Sequence, residues 1–145
     1  MDNKMSLRFN SNPENESFAR TAVAAFIAYM DPTVEELTEI KTAVSEAVSN
    51  SIIHGYPDRR DGTVTVECHS GESRRVVIIV ADEGVGIADI EKAKEPLFTT
   101  GKPEERSGMG FTVMESFMDK LEIESQEGMG TRVTMMKNLD SGYEF

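Results

Sequence analysis

Four short groups of residues along the chain have types and spacings that could bind a phosphorylated ligand or move a proton. One group pairs two polar side chains, and one places two glycines after an acidic residue. The other two place glycines at the start of an expected helix or strand. In chain order they are Glu46 and Asn50; Asp82, Gly84 and Gly86; Gly108 and Gly110; Gly130 and Thr131. Each group, taken alone, can be explained by structure without any function. The order of the groups and their surroundings decide between the structural and the functional explanation.

Glu46 and Asn50 lie four residues apart in a segment with helical periodicity, and residues four apart share one face of a helix. That face lies to the side of the apolar stripe formed by Ile40, Val44 and Ala47. A carboxylate and a carboxamide therefore project together from one edge of the helix. Taken alone, such a pair is usually a solvated helix edge.

The sequence ADEGVGI follows the apolar run VVIIV, so Asp82, Gly84 and Gly86 come directly after an expected buried strand. Glycines at this point suit a hairpin turn or a bulge. They equally suit a place where the backbone approaches a ligand closely. Gly108 and Gly110 precede an expected helix, whose free amides and positive dipole end can bind phosphate, although a flexible turn explains them as well.

Two helices are expected in the first third of the chain. Ser11 and Glu14 have the spacing of a capping box, and the helix that follows should continue to about Met30. It is apolar or small nearly all round, with Phe18 and Phe26 on one side and Ala24 and Ala28 on another, so we expect one face to pack on the sheet and the other to contact a partner.

The second helix should begin at Thr33, which with Glu36 has the spacing of a second capping box, and should end near Gly55. Its helical periodicity predicts one buried stripe. The stripe consists of Leu37, Ile40, Val44, Ala47 and Ser51.

Alternating or apolar runs predict five strands, at residues 6–10, 63–69 and 74–80 and in LEIESQ and GTRVTMMKN. From Ile87 to Ser107 the chain holds at most one short helix, near residues 89–94, and a loop this long is usually functional. A helix is expected from Gly108 to Leu121. We therefore expect one α+β domain spanning residues 1–145, a two-layer α/β sandwich whose mostly antiparallel, mixed sheet is covered on one face by helices.

The composition narrows the class of protein and of partner. The chain of 145 residues has 15 Lys and Arg against 26 Asp and Glu, a formal net charge of -11. This charge argues against direct binding of nucleic acid or of an anionic membrane surface. Cys68 is the only cysteine, and MDNKMSLRFN lacks the apolar core of a signal peptide. We expect a soluble cytoplasmic protein without an internal disulfide.

The four groups, taken in order, resemble the ATP-binding fold shared by gyrase, the ninety-kilodalton heat-shock proteins, histidine kinases and MutL. The shared pattern is ExxxN on a helix, DxGxG after a buried strand, a long loop, GxGF at a helix start and GT at a strand start. This resemblance implies the Bergerat-type fold, with an ATP lid at residues 87–107. The chain has no GxxxxGK[ST] and no HRD or DFG element, which argues against other nucleotide-binding classes.

Longer stretches point to a narrower family. NESFAR, EELTEIKTAVSEAV, IIHGY, DEGVGI, PLFTT and ERSGMGF are similar to segments of the anti-sigma factor serine kinases of endospore-forming bacteria, and the resemblance covers nearly the whole chain. It implies a homodimer that binds and inhibits an RNA polymerase sigma factor. It also implies that the protein uses ATP and Mg²⁺ to phosphorylate a serine of an antagonist, the anti-anti-sigma protein, and so controls transcription in sporulation.

The resemblance implies roles for the matching residues. Glu46 resembles the general base that takes the hydroxyl proton of the serine substrate, and Asn50 resembles a magnesium ligand, a role that suits its neutral amide oxygen. Asp82 resembles the carboxylate that accepts a hydrogen bond from the adenine amine. Gly84 and Gly86 would leave room for the base and for the loop over it.

The resemblance implies further ATP contacts in the lid, at the start of the helix that follows it, and in the last strand. These residues are Thr99, Thr100, Arg106, Gly108, Gly110 and Thr131. For Arg106, a solvated loop charge is an equally good explanation.

Glu16 and Arg20, on the first helix, are candidates for a partner-binding surface. Arg20 is the only basic residue between Arg8 and Lys41. The alternative is a solvated ion pair between Arg20 and Glu16, four residues earlier.

Two activities remain open, a protein serine kinase and an ATP-dependent binding module that sequesters its partner without kinase activity. A sensor histidine kinase needs a phosphoaccepting histidine on a dimerising helical hairpin, and neither His54 nor His69 lies in such a segment. Glu46 distinguishes the two remaining activities because pure binding has no use for a base at that position.

Overall fold

A computed structural model describes residues 2–71, 73–94 and 110–140 of the protein. Within these ranges the chain forms five strands, four α-helices and two further helical turns. The strands are β1 (Asn3–Asn10), β2 (Thr63–Ser70), β3 (Arg75–Asp82), β4 (Lys120–Gln126) and β5 (Gly130–Asn138). The helices are α1 (Asn15–Ile27), α2 (Val34–Asn50), α3 (Ile90–Ala93) and α4 (Gly110–Phe117), with a 3₁₀ turn at Ala28–Met30 and a π-helical turn at Ser51–Gly55.

The strands form one sheet in the order β1-β2-β3-β5-β4. All four pairings are antiparallel, so the described part of the sheet contains no parallel pair and is not mixed. The predicted α+β class and the mostly antiparallel sheet are confirmed. The register places Asp82, at the end of β3, between Val64 of β2 and Thr131 of β5.

Side chains alternate between the two faces of the sheet, as the period of two along a strand requires. Every second residue of β2 and of β3 is buried, and these residues face the helical layer. The fully buried aliphatic side chains Val66, Ile78 and Val80 pack there with Val23 and Val44 of α1 and α2. The helices thus cover one face of the sheet, as predicted.

The capping box predicted for α2 is present. The Thr33 hydroxyl accepts a hydrogen bond from the Glu36 amide at 3.0 Å, and the Glu36 carboxylate accepts one from the Thr33 amide at 2.9 Å. The predicted stripe is also confirmed, because Ile40, Val44 and Ala47 are buried. None of the helices in the described ranges is long and apolar enough to cross a bilayer.

The capping box predicted for α1 is wrong. The N-cap of α1 is Glu14, and its side chain makes no capping hydrogen bond. The Ser11 hydroxyl instead donates to the carbonyl of Arg59 at 2.9 Å and accepts from the amide of Gly62 at 3.0 Å. A long-range contact to the loop before β2 therefore replaces the local one.

The structure decides which face of α1 is buried. Ala19, Val23 and Ile27 are fully buried, whereas Phe18 is 54% exposed. Phe18 packs edge-on against Phe9 of β1, with ring centroids 6.4 Å apart. The face that includes Phe18 is therefore open.

The described part of α4 ends earlier than predicted. The helix ends at Phe117, and Lys120 and Leu121 already belong to β4. The Asp119 amide donates to the Met136 carbonyl of β5 at 2.8 Å, so pairing with the sheet ends the helix.

Candidate functional site

The start of α4 packs directly against the polar edge of α2. A Cβ atom placed on Gly110 would lie 2.8 Å from Nδ2 of Asn50 and 3.3 Å from Oε2 of Glu46. Gly110 therefore occupies a position with no room for a side chain. The structure brings together three residues that the sequence analysis took from two separate groups.

A π-helical turn, Ser51–Gly55, continues the chain from Asn50. Such turns are rare in proteins, and those that occur often lie at functional sites. The turn brings the backbone of Gly55 against the end of β3, because a Cβ on Gly55 would lie 3.0 Å from both Cγ and Oδ1 of Asp82. The five residues after Asn50 thus connect the edge of α2 to the end of the sheet.

Asp82 is the last residue of β3 and is 7% exposed. Burial is the main influence on its carboxyl group and raises its pKa, while hydrogen bonds from the Gly84 amide, the Ser51 hydroxyl and the Thr131 amide act in the opposite direction. The Gly84 amide is 2.9 Å from Oδ1. Three donors thus fix the carboxyl group at the end of a rigid strand.

The two glycines after Asp82 are required by contacts within the protein. A Cβ on Gly84 would lie 2.0 Å from the carbonyl oxygen of Gly55. Gly86 has φ 77°, and a Cβ there would lie 2.2 Å from the carbonyl oxygen of Gln126. Close backbone packing thus explains both glycines, and their contact with a ligand stays a prediction.

Thr131 belongs to a small hydroxyl network that the sequence analysis missed. The Ser125 and Thr131 hydroxyls lie 2.8 Å apart, and Ser125 also accepts a hydrogen bond from the Ile87 amide at 2.7 Å. Asp82, Ser125 and Thr131 line one open cavity of about 320 Å³, together with Met129. Ser125 meets Thr131 through the register of β4 and β5 and meets Ile87 from the segment after β3, so no local signal in the sequence could have identified it.

Tyr56 is a second residue that the sequence analysis did not single out. Its hydroxyl donates to the carbonyl of Thr63 at 2.6 Å and accepts from the amide of Glu83 at 2.7 Å. The buried ring thereby ties the residue after Asp82 to the start of β2. The motif IIHGY, which carried part of the family resemblance, was the only sequence signal for it.

Four predicted ATP contacts, Thr99, Thr100, Arg106 and Gly108, lie outside the described residues, as does most of the predicted lid.

The candidate partner-binding residues lie on α1, away from the Asp82 cavity. Arg20 and Glu16 form an ion pair, with Nη1 and Oε2 3.5 Å apart, and Arg20 also donates to the Ser17 hydroxyl. Glu16 accepts a further hydrogen bond from the Ser45 hydroxyl of α2 at 3.0 Å. The ion pair given as the alternative explanation of Arg20 is therefore present, and a role in partner binding stays a prediction.

The polar groups around Gly110 fit ATP phosphates with a magnesium ion. Within residues 2–71, 73–94 and 110–140, no group of three or more His, Cys, Asp or Glu could hold a metal ion. Magnesium bound to nucleotide phosphates needs only one or two protein ligands because it keeps several waters. The Asn50 amide oxygen can be such a ligand, and it lies 3.4 Å from the position that a Cβ on Gly110 would take.

Comparisons with known proteins show the family of the chain. The histidine kinase-like ATPase domain matches residues 9–137. A curated relative from Clostridium novyi (strain NT), an anti-sigma F factor, is 59% identical over 96% of both chains. An anti-sigma F factor from Thermoanaerobacter sp. (strain X514) is 58% identical over the same shares. The chain belongs to the anti-sigma F factor family.

A solved structure supports the fold. The RsbU and RsbW domains of a Mycobacterium tuberculosis protein align with a TM-score of 0.69 at 18% identity, over 94% of this chain and 32% of that one. The alignment gives this member of the family the histidine kinase-like ATPase fold, in agreement with the family match.

Asp82→Asn should stabilise the ligand-free protein and weaken ATP binding. Because burial raises the pKa of Asp82, its carboxylate costs stability above the folded pKa, and this cost disappears as the pH falls below the unfolded value. We expect the melting temperature to rise by roughly 1–4 °C at pH 7 and the gain to shrink on acidification. Calorimetric titration should give at least about tenfold weaker ATP binding, because the charged acceptor is lost.

Asp61→Asn is the matched control, because Asp61 pairs with Arg59 at an exposed position. This variant should show neither effect. An unchanged ATP affinity in Asp82→Asn would remove Asp82 from the adenine site.

Proposed function

We propose that this protein is an ATP-dependent anti-sigma factor and protein serine kinase. In this proposal it binds and inhibits the sporulation sigma factor F in the cytoplasm. It uses Mg-ATP to phosphorylate a serine of an anti-anti-sigma protein, which is the antagonist of the inhibition. The anti-sigma F relatives support the sigma partner, and the RsbW domain in a structural neighbour supports the antagonist.

The packing of Gly110 against Glu46 and Asn50 is the observation that carries the kinase proposal. The Gly110 amide, at the start of α4, can bind a phosphate, and Asn50 can hold the magnesium ion beside it. Glu46 then lies within reach of a hydroxyl placed in line with the terminal phosphate. These residues bring a carboxylate, a metal ligand and an anion-binding amide to one point.

The reaction is a transfer of the terminal phosphoryl group to the serine hydroxyl. The serine oxygen forms a bond to the γ-phosphorus, the bond from that phosphorus to the β,γ-bridging oxygen breaks, and ADP leaves. Glu46 takes the hydroxyl proton, and the Gly110 amide stabilises the charge on the phosphoryl oxygens. A magnesium ion held by Asn50 would supply further charge stabilisation there. Positioning and charge stabilisation are the main contributions of the protein.

The end of β3 supplies the adenine site in this proposal. Asp82 accepts a hydrogen bond from the exocyclic amine of adenine, and Thr131 with Ser125 supplies hydroxyls at the other wall of the same cavity. Guanine presents a carbonyl where adenine has its amine, so a carboxylate would repel it. The nucleotide would thus extend from Asp82 towards Gly110.

The alternative is a module that holds ATP only to shape a partner-binding surface. Asp82 and Asn50 would serve that function equally well. Glu46 separates the two functions, because a carboxylate beside the phosphates repels them and so disfavours pure binding, whereas phosphoryl transfer can use it as a base.

The sigma factor is proposed to bind on the exposed side of α1. Phe18 is 54% exposed on the side of α1 towards β1, and Arg20 is half-buried beside Glu16 on another side of the helix. Aromatic side chains and arginines are among the residues that contribute most to protein interfaces. The charge of -11 makes a protein partner more suitable than nucleic acid.

A homodimer is proposed to form through β1. In the described part of the chain, β1 pairs with β2 alone, which leaves its outer edge open over eight residues. Open edges of this length pair readily with another strand. A two-fold axis at Leu7 would place Lys4 opposite Asn10 and Arg8 opposite Ser6, so that the two basic residues do not face each other.

Glu46→Gln and Asn50→Ala should differ in kind. Glu46→Gln keeps the shape of the side chain but removes the base, so phosphorylation should fall about 10²- to 10⁴-fold while ATP affinity and sigma-factor binding persist. Asn50→Ala removes a magnesium ligand, so ATP binding and phosphorylation should fall together. Phosphoserine on the antagonist, quantified by mass spectrometry, and calorimetric titration with ATP measure both.

Glu35→Gln serves as the control, because Glu35 is exposed in the first turn of the same helix. If Glu46→Gln phosphorylates the antagonist at near the original rate, Glu46 is not the base and the positioning of the phosphates suffices.

Arg20→Ala should weaken sigma-factor binding by at least about tenfold without changing ATP affinity, since an interface guanidinium is lost while the nucleotide site is intact. The matched variant is Arg75→Ala, which removes an exposed arginine that donates to Asn138 on β5. Titration of both variants with the sigma factor measures the two affinities. Equal affinity in the two variants would place Arg20 outside the interface.

Leu7→Cys should cross-link the proposed dimer, because the two cysteines would face each other on the two-fold axis. In Phe9→Cys the two thiols would be about 13 Å apart along the strands, so it should not cross-link. Cys68 should not interfere, since burial raises its pKa to about 12. Non-reducing electrophoresis after mild oxidation measures both, and cross-linking of Phe9→Cys alone would exclude this register.

A further inference from the structure

Lys137 is a buried lysine with two partners. It lies on the inner face of β5, and its side chain is 11% exposed. Its ammonium group donates to the carbonyl oxygen of Phe117 at 2.7 Å and lies 3.0 Å from Oε1 of Glu39. Lysine is almost never buried without such pairing, so these two contacts account for its position.

The two contacts hold α4 along α2. Glu39 lies seven residues, or about 10 Å, before Glu46 on nearly the same face of α2. The eight residues of α4 span about 12 Å and run in the opposite direction, from Gly110 beside Glu46 to Phe117 beside Lys137. Lys137 therefore holds one end of α4, and the other end lies at the proposed phosphate site.

We propose that Lys137 is a positioning residue for the ATP phosphates, which rests on the proposed ATP-binding function. By holding the Phe117 carbonyl next to Glu39, it sets the position of α4 along α2 and so the position of the Gly110 amide relative to Asn50. Its positive charge at the C-terminal end of α4 is also favourable to the helix dipole, whose positive end faces the phosphates. Lys137 does not touch the nucleotide.

A purely structural lysine would act differently on ligands. General loosening of the core would weaken the binding of every ligand to the folded protein. Displacement of α4 would weaken the binding of ligands with several phosphates. It would leave the adenine end unchanged, because that end is built from Asp82 on β3 and Thr131 on β5. ATP and AMP therefore separate the two roles, because AMP has the adenine but lacks the β- and γ-phosphates.

The test compares Lys137→Met with the unaltered protein, by calorimetric titration with Mg-ATP and NMR titration with AMP. We expect ATP binding to weaken about tenfold and AMP binding to change less than about twofold. Lys137→Arg keeps a buried cation that can reach both partners and should restore most of the ATP affinity. Lys120→Met, which removes an exposed lysine paired with Glu122, is the control and should leave both affinities unchanged.

An ATP affinity within about twofold of the original in folded Lys137→Met overturns the proposal, as does an equal loss of ATP and AMP binding. If Lys137→Met does not fold, Glu39→Ala takes its place, since it breaks the link to α2 and leaves the Phe117 contact intact. It should weaken ATP binding roughly threefold with AMP unaffected, and no change would overturn the proposal. Failure of the unaltered protein to bind ATP would instead refute the proposed function.

Discussion

The close packing of Gly55 against the residues after β3 is the constraint on which the rest of the site depends. The amide of Val85 donates to the Gly55 carbonyl at 2.9 Å, and a Cβ on Gly84 would overlap that same oxygen. The helical layer therefore approaches the sheet at this end as closely as two backbones can. Because Asn50 precedes Gly55 by only one turn of helix, this contact also fixes the distance between the polar edge of α2 and Asp82. A bulkier residue at either glycine would separate the two halves of the site.

This closeness has an electrostatic cost that local hydrogen bonds offset only in part. The Asp82 carboxyl group is enclosed by Gly55 and by the end of β5, and burial raises its pKa despite three hydrogen-bond donors. A neutral side chain would suit the fold better at this position. The hydrophobic core between the sheet and the helices supplies the stability that offsets the cost of a buried carboxylate. Such a local loss of stability is usual where a residue serves binding and not folding.

Local signals in the sequence were reliable where local contacts decide the structure. The Thr33 capping box and the position of Asp82 at a strand end depend on residues within a few positions of each other, and both were predicted. The capping box at Ser11 failed because its hydroxyl bonds to the loop before β2, a contact that spacing cannot reveal. The apolar pattern of α1 did not decide which face packs on the sheet, and the structure buries Ala19 and Val23 and exposes Phe18.

The central position of α2 connects the proposed partner-binding surface on α1 with the proposed nucleotide site. This helix packs against both α1 and α4. Consecutive residues on a helix point about 100° apart, so Ser45 faces α1, where it donates to Glu16, while Glu46 faces the start of α4. A shift of α1 that moves α2 would therefore change the distance between Glu46 and Gly110.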